Sequence, residues 1–237
     1  MSKKLNYSKA VVILSGGADS ATLLYKMKDE FKEVKAISFD YGQKHRKELV
    51  CARLLCHYAK IDHRVVDLSC LKEILSGSSL TGKARIPKGH YAAENMKSTV
   101  VPNRNSIMLN IAMGYAISLN FGTVGYGAHS GDHAIYPDCR PSFLEAICKL
   151  AKEVHFEELA IYAPFINMTK TDVFLKGMDL AVPYQHTWSC YEGKERPCLK
   201  CGTCQERTIS FRDAGYIDPA LSSKEWASAL KIVKGIK

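Results

Sequence analysis

Residues 15–20, Ser-Gly-Gly-Ala-Asp-Ser, have the types and spacing that suit a polyphosphate-binding turn. They follow the apolar run 10–14 and open a helical stretch, and the two glycines let the backbone N–H groups of turn and helix point at one anion. A Walker-type loop has a lysine for the phosphates, whereas this loop has Asp19 near that place. A carboxylate there suits a bridging Mg²⁺ or a loop that holds departing pyrophosphate. The pattern predicts the splitting of ATP into AMP and pyrophosphate; an ordinary strand-to-helix turn is the alternative.

A cluster of cysteines near the C-terminus has the spacing of a metal site. The pattern is C-x₇-C-x₂-C-x₂-C, made by Cys190, Cys198, Cys201 and Cys204. A C-x₂-C pair places two sulfurs on one tight turn, and the remaining pair can complete a tetrahedron. We therefore expect one structural Zn²⁺ per chain. An iron–sulfur cluster is the alternative, because C-x₂-C-x₂-C also begins a ferredoxin run.

The loop 127–141 is dense in polar groups and indicates a site for a second substrate. Asp132 and Asp138 could accept hydrogen bonds from the amino and ring N–H groups of a heterocycle, and Arg140 could pair with a carboxylate. His129 and His133 flank Asp132, which raises the alternative of a metal site. The glycine in this loop makes helical spacing irrelevant, so the heterocycle is the favoured interpretation.

The elements that must position these residues follow from the periodicity. It predicts strands at 10–14, 34–39, 63–67, 123–128 and 159–162, and helices at 20–32, 47–60, 107–119 and 141–154. Strands separated by helices predict an α/β fold with a doubly wound, parallel, five-stranded sheet, whose ligands bind at the carboxyl ends of the strands. Residues 169–172 predict a capped helix start. Residues 76–104 show no regular pattern and are expected to form a lid or a mobile loop.

Composition bounds the class of protein. The 237 residues, 46% apolar and 24% charged, suit one α/β domain at 1–185 and a small zinc-binding helical region at 186–237. Nine cysteines, an odd number, disfavour a disulfide framework, and Cys51, Cys56, Cys70 and Cys148 are expected to be small core residues. The sequence has no apolar stretch long enough for a membrane span and no signal core, so we expect a cytoplasmic protein without a membrane partner.

The net charge of +9 lies entirely in one half of the chain. Residues 1–125 carry 19 Lys and Arg against 10 Asp and Glu, whereas residues 126–237 carry 14 of each. A basic half suits a polyphosphate and would equally suit tRNA. The sequence has no basic run longer than two residues, so solvated helix faces account for most of the charge. No direct nucleic-acid partner is expected.

Several motifs together carry a family resemblance. The loop at 15–20 resembles that of the PP-loop ATPase superfamily. With Phe-Asp-Tyr-Gly-Gln at 39–43, Val-Pro-Asn-Arg-Asn at 101–105, Tyr-Pro-Asp-Cys-Arg-Pro at 136–141 and the four cysteines, the chain resembles the 7-cyano-7-deazaguanine synthase family from about residue 9 to 216. The motifs occur in that family's order. Ser142 departs from it, because an acidic residue is expected after Arg-Pro.

The resemblance implies a fold and a reaction. The fold is that of the adenine nucleotide alpha hydrolase-like proteins, and the family expectation is a homodimer. The reaction, in the queuosine precursor pathway, converts 7-carboxy-7-deazaguanine, ammonia and ATP to the nitrile. An acyl-adenylate gives the amide with ammonia, and a second adenylation lets the nitrile form. Each round releases pyrophosphate.

The resemblance also implies roles for individual residues. The nucleotide site comprises Leu14, Ser15, Gly16, Gly17, Ala18, Asp19, Ser20, Phe39, Tyr41 and Gln43. The candidate catalytic residues are Asp19, which would orient Mg²⁺, with Ser20, Arg104 and Lys170 near the phosphates. A solvated lysine at a helix start is the alternative for Lys170. Asp132, Asp138 and Arg140 are assigned to the deazaguanine.

Rival functions remain at this point. A tRNA thiolase would use the same adenylation, with Cys139 as a sulfur-carrying nucleophile. A non-catalytic zinc-ribbon module would only sense the nucleotide. An ammonia-dependent amide synthetase acting on another acid would differ only in its substrate.

Overall fold

The computed structural model describes residues 8–89 and 94–236. Five strands form one sheet: β1 (Lys9–Ile13), β2 (Glu33–Asp40), β3 (Asp62–Asp67), β4 (Thr123–Gly125) and β5 (Ala160–Tyr162). All four pairings are parallel, in the order β3-β2-β1-β4-β5. The predicted doubly wound, parallel, five-stranded sheet is confirmed.

Helices connect and cover these strands. They are α1 (Ala18–Glu30), α2 (Lys47–Ala59), α3 (Arg104–Ser118), α4 (Pro141–Ala151), α5 (Lys170–Asp179), α6 (Gly202–Asp213) and α7 (Ser223–Ile232). The chain builds outward from β1 to β3 and then returns to the other side of β1 as β4. The carboxyl ends of β1 and β4 therefore form the crevice where such sheets bind ligands. No helix in the described ranges has the length and apolar character needed to cross a lipid bilayer.

The central strand is buried on both faces because helices cover both sides of the sheet. Ala10, Val11 and Val12 are fully buried, as expected of a parallel sheet with a helix layer on each face. Successive side chains point to opposite faces of a strand. Val11 accordingly belongs to the core that includes Leu109 of α3, whereas Val12 belongs to the core that includes Leu23 of α1.

Several predicted segments differ from the structure. The strand predicted at 123–128 ends at Gly125, and the helix predicted at 141–154 ends at Ala151. The helix predicted at 107–119 begins at Arg104, because Asn103 turns left-handed and the Asp138 carboxylate accepts a hydrogen bond from the Asn105 N–H at 3.1 Å. This cap comes from a distant loop, which a local pattern does not reveal. The segment 76–104 contains a 3₁₀ helix at Glu94–Thr99, contrary to the prediction of no regular structure.

The described parts of the segment 76–104 are packed rather than loose. Leu80, Met96 and Thr99 are fully buried, and Met96 and Leu80 belong to the core beside α3. Residues 90–93, which belong to the same predicted lid, lie outside the described residues.

Among the cysteines expected in the core, Cys51 and Cys56 are buried, Cys148 is half-buried and Cys70 is exposed. The core prediction is therefore wrong for Cys70.

The C-terminal helices are tied to the sheet domain by buried polar contacts. Arg207 of α6 makes a bidentate ion pair with Asp218: its Nε lies 2.6 Å from Oδ2 of the carboxylate, and its Nη2 lies 2.8 Å from Oδ1. The same guanidinium donates to the Tyr184 carbonyl and to the Thr187 hydroxyl. Both partners of the ion pair are buried, which makes the loss of either one costly. The division at residue 185 stays a prediction.

The predicted helix start at 169–172 is confirmed. Thr169 accepts a hydrogen bond from the Asp172 N–H, and the Asp172 carboxylate accepts one from the Thr169 N–H. This reciprocal capping box satisfies two backbone donors at the start of α5. It places Lys170 in the first turn of that helix.

Two helical glycines give a matched test of the packing. A Cβ at Gly177 would lie 1.7 Å from the buried Tyr184 hydroxyl, whereas a Cβ at the exposed Gly114 would meet nothing within 4 Å. Gly177→Ala should therefore lower the free energy of unfolding by about 1–3 kcal/mol. Gly114→Ala should raise it by about 0.5–1 kcal/mol, because alanine favours the helix. Urea denaturation measures both, and equal stabilities of the two variants would contradict the packing described.

Candidate active site

One cavity opens at the carboxyl ends of β1, β2 and β4, and most of the sequence-predicted residues line it. The predicted residues in its wall are Leu14, Ser15, Gly17, Asp19, Ser20, Phe39, Tyr41, Arg104, Asp132 and Lys170. The predicted residues outside the wall are Gly16, Ala18, Gln43, Asp138 and Arg140. Residues 15–20 are called the phosphate loop below, and residues 127–141 the acceptor loop. The structure thus brings the phosphate loop together with Asp132 of the acceptor loop.

The phosphate loop is held in one conformation by its own contacts. Gly16 has a φ of +91°, and a Cβ there would lie 2.0 Å from the Glu48 carbonyl oxygen, so glycine is required. The Ser15 hydroxyl accepts a hydrogen bond from the Gly17 N–H at 3.1 Å and lies 3.0 Å from the Ser20 hydroxyl. Gly17 caps α1 without a side-chain acceptor. The loop and the first turn of α1 therefore form a cradle suited to an anion.

Charged side chains meet at the far end of this loop. The Lys170 ammonium lies 3.0 Å from the Asp19 carboxylate and 2.9 Å from that of Glu206 in α6. His129 Nε2 lies 3.6 Å from a carboxylate oxygen of Asp19 and 3.6 Å from one of Asp132. Lys170 is buried, so the alternative of a solvated lysine is wrong.

The cluster keeps its charges despite burial. Burial alone would raise the pKa of Asp19, but Lys170 and His129 hold it well below its usual range. Burial alone would lower the pKa of His129, but Asp132 and Asp19 raise it to about 9. Opposite charges at close range thus outweigh desolvation for both groups. Asp19 is a carboxylate at neutral pH. The carboxylates that face His129 Nε2 favour protonation of this ring, whereas its Nδ1 accepts a hydrogen bond from the Gly131 N–H at 3.1 Å, which favours the neutral ring.

A fixed positive charge lies on the other side of the cavity. The Arg104 guanidinium lies 5.7 Å from the ring centre of Tyr41 and donates to its hydroxyl at 3.4 Å. Although burial opposes the charge, Tyr41, Tyr136 and Asp138 raise the pKa of Arg104 well above its ordinary value. Burial raises the pKa of Tyr41 to about 12. This side of the cavity therefore presents the positive charge of Arg104 among neutral tyrosine hydroxyls.

The acceptor loop brings in only part of its predicted set. Asp138 accepts from the Asn105 N–H through one oxygen, and its other oxygen is buried with no hydrogen-bond partner among the described residues. Arg140 is exposed, and its Nε donates to the His133 carbonyl at 2.9 Å. Gln43 is buried and bonds the backbone of Phe39 and Tyr41, so it shapes the loop after β2. The substrate roles of Asp138 and Arg140 stay predictions.

The four-cysteine cluster has the geometry of a metal site. The sulfur atoms of Cys190, Cys198, Cys201 and Cys204 all lie within 4.8 Å of one another. Backbone N–H groups of Cys198 and Cys201 donate to the Cys190 and Cys198 sulfurs at 3.3 Å, an arrangement that suits negatively charged thiolates. The donor set is therefore consistent with a tetrahedral zinc site.

Comparisons with known proteins identify the family. The family model of queuosine biosynthesis protein QueC matches residues 9–215. The chain belongs to the QueC family. It is 50% identical over 211 residues to 7-cyano-7-deazaguanine synthase 1 of Colwellia psychrerythraea, covering 89% of this chain and 97% of that protein. It is 52% identical to 7-cyano-7-deazaguanine synthase of Methanoregula boonei over 212 residues, with coverage of 89% and 97%.

A third relative extends the match along nearly the whole chain. The 7-cyano-7-deazaguanine synthase of Archaeoglobus fulgidus is 46% identical over 230 residues, which cover 97% of this chain and 96% of that protein. The resemblance drawn from the order of the motifs is confirmed. This QueC-family chain is thus a member of a family of queuosine biosynthesis enzymes.

Sequence reasoning missed several polar and aromatic residues of this candidate site. The cavity is also lined by His45, Glu48, Trp188 and Tyr191. Glu206 forms an ion pair with Lys170. The aromatic residues on either side of Cys190 were a usable signal, because ligand pockets are rich in aromatic side chains. Glu48 and Glu206 gave no such signal. Each has the type and position of an ordinary glutamate on a helix surface.

The raised pKa of His129 predicts a pH dependence of stability. Because its folded pKa of about 9 lies above the ordinary 6.5, its stabilisation is complete below pH 6.5 and is lost as the pH rises through about 9. That difference corresponds to roughly 3 kcal/mol. His129→Gln should therefore lower the free energy of unfolding by up to that amount near pH 6, and by far less above pH 9. Denaturant titration at both pH values measures this, with the exposed His57→Gln as control. A pH-independent difference would contradict the raised pKa and indicate the neutral ring whose Nδ1 accepts from the Gly131 N–H.

Proposed function

We propose that the chain is an ATP-dependent ligase that converts 7-carboxy-7-deazaguanine and ammonia to 7-cyano-7-deazaguanine, with release of AMP and pyrophosphate. The observation that carries this proposal is that one cavity is lined by both the phosphate loop and Asp132 of the acceptor loop. Arg104 contributes a cation to the same wall. An ATP molecule and a heterocyclic acid bound there would meet.

The chemistry explains why the phosphate loop is needed. A carboxylate does not accept ammonia, because its leaving group would be oxide. Attack of the carboxylate on the α-phosphorus of ATP releases pyrophosphate and gives an acyl-adenylate with AMP as a good leaving group. Ammonia then gives the amide, and a second adenylation on the amide oxygen allows the nitrile to form by loss of AMP.

The residues divide this work by position. The backbone of the phosphate loop and the Ser15 and Ser20 hydroxyls would hold the β- and γ-phosphates. Arg104 would stabilise the charge that develops at the α-phosphate, because it is positioned before the reaction starts. Lys170 would neutralise the departing pyrophosphate from the other end of the loop. Asp132 and Asp138 would accept hydrogen bonds from the deazaguanine. Arg140 lies outside the cavity wall, so its side chain would have to move towards the cavity to contact the carboxylate of the substrate.

Asp19 is the residue that would hold Mg²⁺. One of its carboxylate oxygens is buried and has no hydrogen-bond partner in the described part of the chain. This oxygen, Oδ1, lies 3.6 Å from His129 Nε2, beyond hydrogen-bond distance. A carboxylate oxygen without a hydrogen bond beside a phosphate cradle fits a divalent cation, which prefers oxygen ligands. The ion would neutralise the negative charge of the polyphosphate.

The four-cysteine cluster would hold one structural Zn²⁺ per chain. It would fix the start of α6, where Cys201 is the cap residue, and the segment that carries Trp188 and Tyr191. Zinc suits four thiolates and has no redox role, so the ion would stabilise this wall of the cavity.

Burial of Cys139 argues against the tRNA thiolase. Cys139 is buried, and this burial raises the pKa of its thiol above the ordinary value, with Asp132 adding to the effect. A thiol that resists ionisation is a poor nucleophile. Asn105 donates to its sulfur at 3.4 Å, which gives Cys139 a packing role.

The homodimer and the cytoplasmic location remain expectations from the family and the composition.

The zinc assignment predicts a metal content and a stability effect. Purified protein should contain one zinc per chain, measured by elemental analysis, and should show no iron–sulfur absorbance. Cys201→Ser should lose the metal and lower the melting temperature, because binding to the folded state stabilises it. The exposed Cys70→Ser is the control and should keep both. A brown protein with stoichiometric iron would contradict the assignment.

The role of Asp19 predicts a selective loss of chemistry. Asp19→Asn should lower kcat/KM for AMP formation roughly 100-fold or more, because the magnesium ligand and one partner of Lys170 are lost together. Asp29→Asn, at an exposed position of the same helix, is the control. Mass spectrometry of the product and AMP quantification should give about two AMP per nitrile with unaltered protein. ADP as the only nucleotide product would overturn the proposed function.

A further inference from the structure

Two buried titratable side chains in the cavity have no role in the steps above. Glu48, in the first turn of α2, and His45, just before it, both line the cavity. Glu48 Oε2 lies 3.4 Å from His45 Nε2, and its other oxygen accepts from the Gln43 amide at 3.2 Å. His45 Nδ1 is buried and has no hydrogen-bond partner among residues 8–89 and 94–236. The pair therefore offers an unused polar atom.

The pair lies beside the place where the phosphates would bind. A Cβ on Gly16 of the phosphate loop would meet the Glu48 carbonyl, so this loop packs directly on the first turn of α2. The His45 ring lies 5.3 Å from the Tyr191 ring across the cavity wall. A small ligand on Glu48 and His45 would thus be near both the phosphate loop and the acceptor side.

The surroundings keep His45 neutral and leave Glu48 divided between its acid and carboxylate forms, with the acid in excess, near neutral pH. The titratable and charged groups that face them are Arg104 of α3, Tyr41 after β2, Cys51 of α2 and Tyr191 before α6. Burial raises the pKa of Glu48 to about 8, against the lowering effect of Arg104. Burial and Arg104 lower the pKa of His45 to about 3. Glu48 can therefore gain or lose a proton close to working pH.

The proposed reaction requires a proton acceptor, and the other carboxyl groups of the cavity wall, Asp19 and Asp132, already have roles in the steps above. At neutral pH ammonia in water is mostly ammonium, which has no electron pair with which to attack a carbonyl carbon. Asp19 is held as a carboxylate by Lys170 and His129, and Arg104 is already protonated. Glu48 is a carboxyl group in the cavity wall without an ion pair to a lysine or arginine among the described residues.

We propose that Glu48 and His45 form an ammonium-binding subsite in which the Glu48 carboxylate takes the proton that frees ammonia to attack. This inference rests on the proposed function. One N–H bond of ammonium breaks and its proton passes to Glu48. The nitrogen electron pair forms the C–N bond to the acyl carbon, the C–O bond to AMP breaks with its electrons on AMP, and the second surplus proton passes to solvent. His45 orients the nitrogen through its unpaired ring atom.

The test separates adenylation from the use of ammonium. Glu48→Gln replaces a carboxyl by an amide of the same shape. The variant should keep ATP–pyrophosphate exchange that depends on 7-carboxy-7-deazaguanine within about twofold, because exchange precedes the attack of ammonia. Nitrile formation from ammonium should fall roughly 100-fold or more. Hydroxylamine, largely unprotonated at neutral pH, needs no base, so hydroxamate formation should persist within a few-fold.

Two further variants control the result. Glu73→Gln, at an exposed position, should match the unaltered protein in all three assays. Glu48→Asp retains a carboxylate and should use ammonium better than Glu48→Gln at the same exchange rate. The melting temperature of Glu48→Gln at pH 7.5 should be no lower than that of the parent, because the amide replaces a buried acid whose ionisation is unfavourable.

The outcomes are distinguishable. Full ammonium-dependent activity in Glu48→Gln overturns the subsite, and so does parallel loss of exchange, hydroxamate and nitrile in a folded variant. If the parent protein shows no substrate-dependent exchange, the proposed function fails and the subsite fails with it.

Discussion

The close packing of the phosphate loop on α2 is the constraint on which the site depends. At a φ of +91°, Gly16 brings its backbone against the Glu48 carbonyl, where no Cβ fits. The same glycine accepts a hydrogen bond from the Trp188 N–H at 2.9 Å, so the C-terminal segment is held to this turn as well. One backbone position thereby sets the orientation of the phosphate cradle, of Glu48 and of the wall next to the cysteines.

A buried charge network extends this dependence across the molecule. Lys170 of α5 lies between Asp19 of α1 and Glu206 of α6, so three helices converge on one ammonium group. Buried charges are tolerated only when they are paired, and removal of one partner leaves another uncompensated. The region after residue 185 therefore contributes both to the wall of the cavity and to the contacts of Lys170. Cys201 of the cysteine cluster is the N-cap residue of α6, and the same helix carries Glu206 to Lys170.

Local signals account for what could be predicted from the sequence. The strand periodicity gave the parallel sheet, and the glycine-rich turn and the cysteine spacing each lie within a few consecutive residues. What could not be predicted depends on distant contacts. The start of α3 is set by Asp138, some thirty residues away, and the burial of Leu80 is set by packing against the core beside α3. Glu48 is identified as a residue of the cavity wall only by the structure, because the phosphate loop packs against its helix.

The distribution of charge in the cavity orders the steps of the proposed reaction. Arg104 and Lys170 are permanent cations that suit a polyphosphate, whereas Glu48 lies beside the phosphate loop and would repel one if ionised. A bound polyphosphate therefore favours the protonated form of Glu48, since like charges nearby raise the pKa of a carboxyl group. Departure of pyrophosphate would remove that repulsion and lower the pKa of Glu48 back towards about 8, where a fraction of the carboxylate can act as a base. In the proposed reaction, ammonium would therefore lose its proton more readily once pyrophosphate has left, when the acyl-adenylate is in place to receive the ammonia.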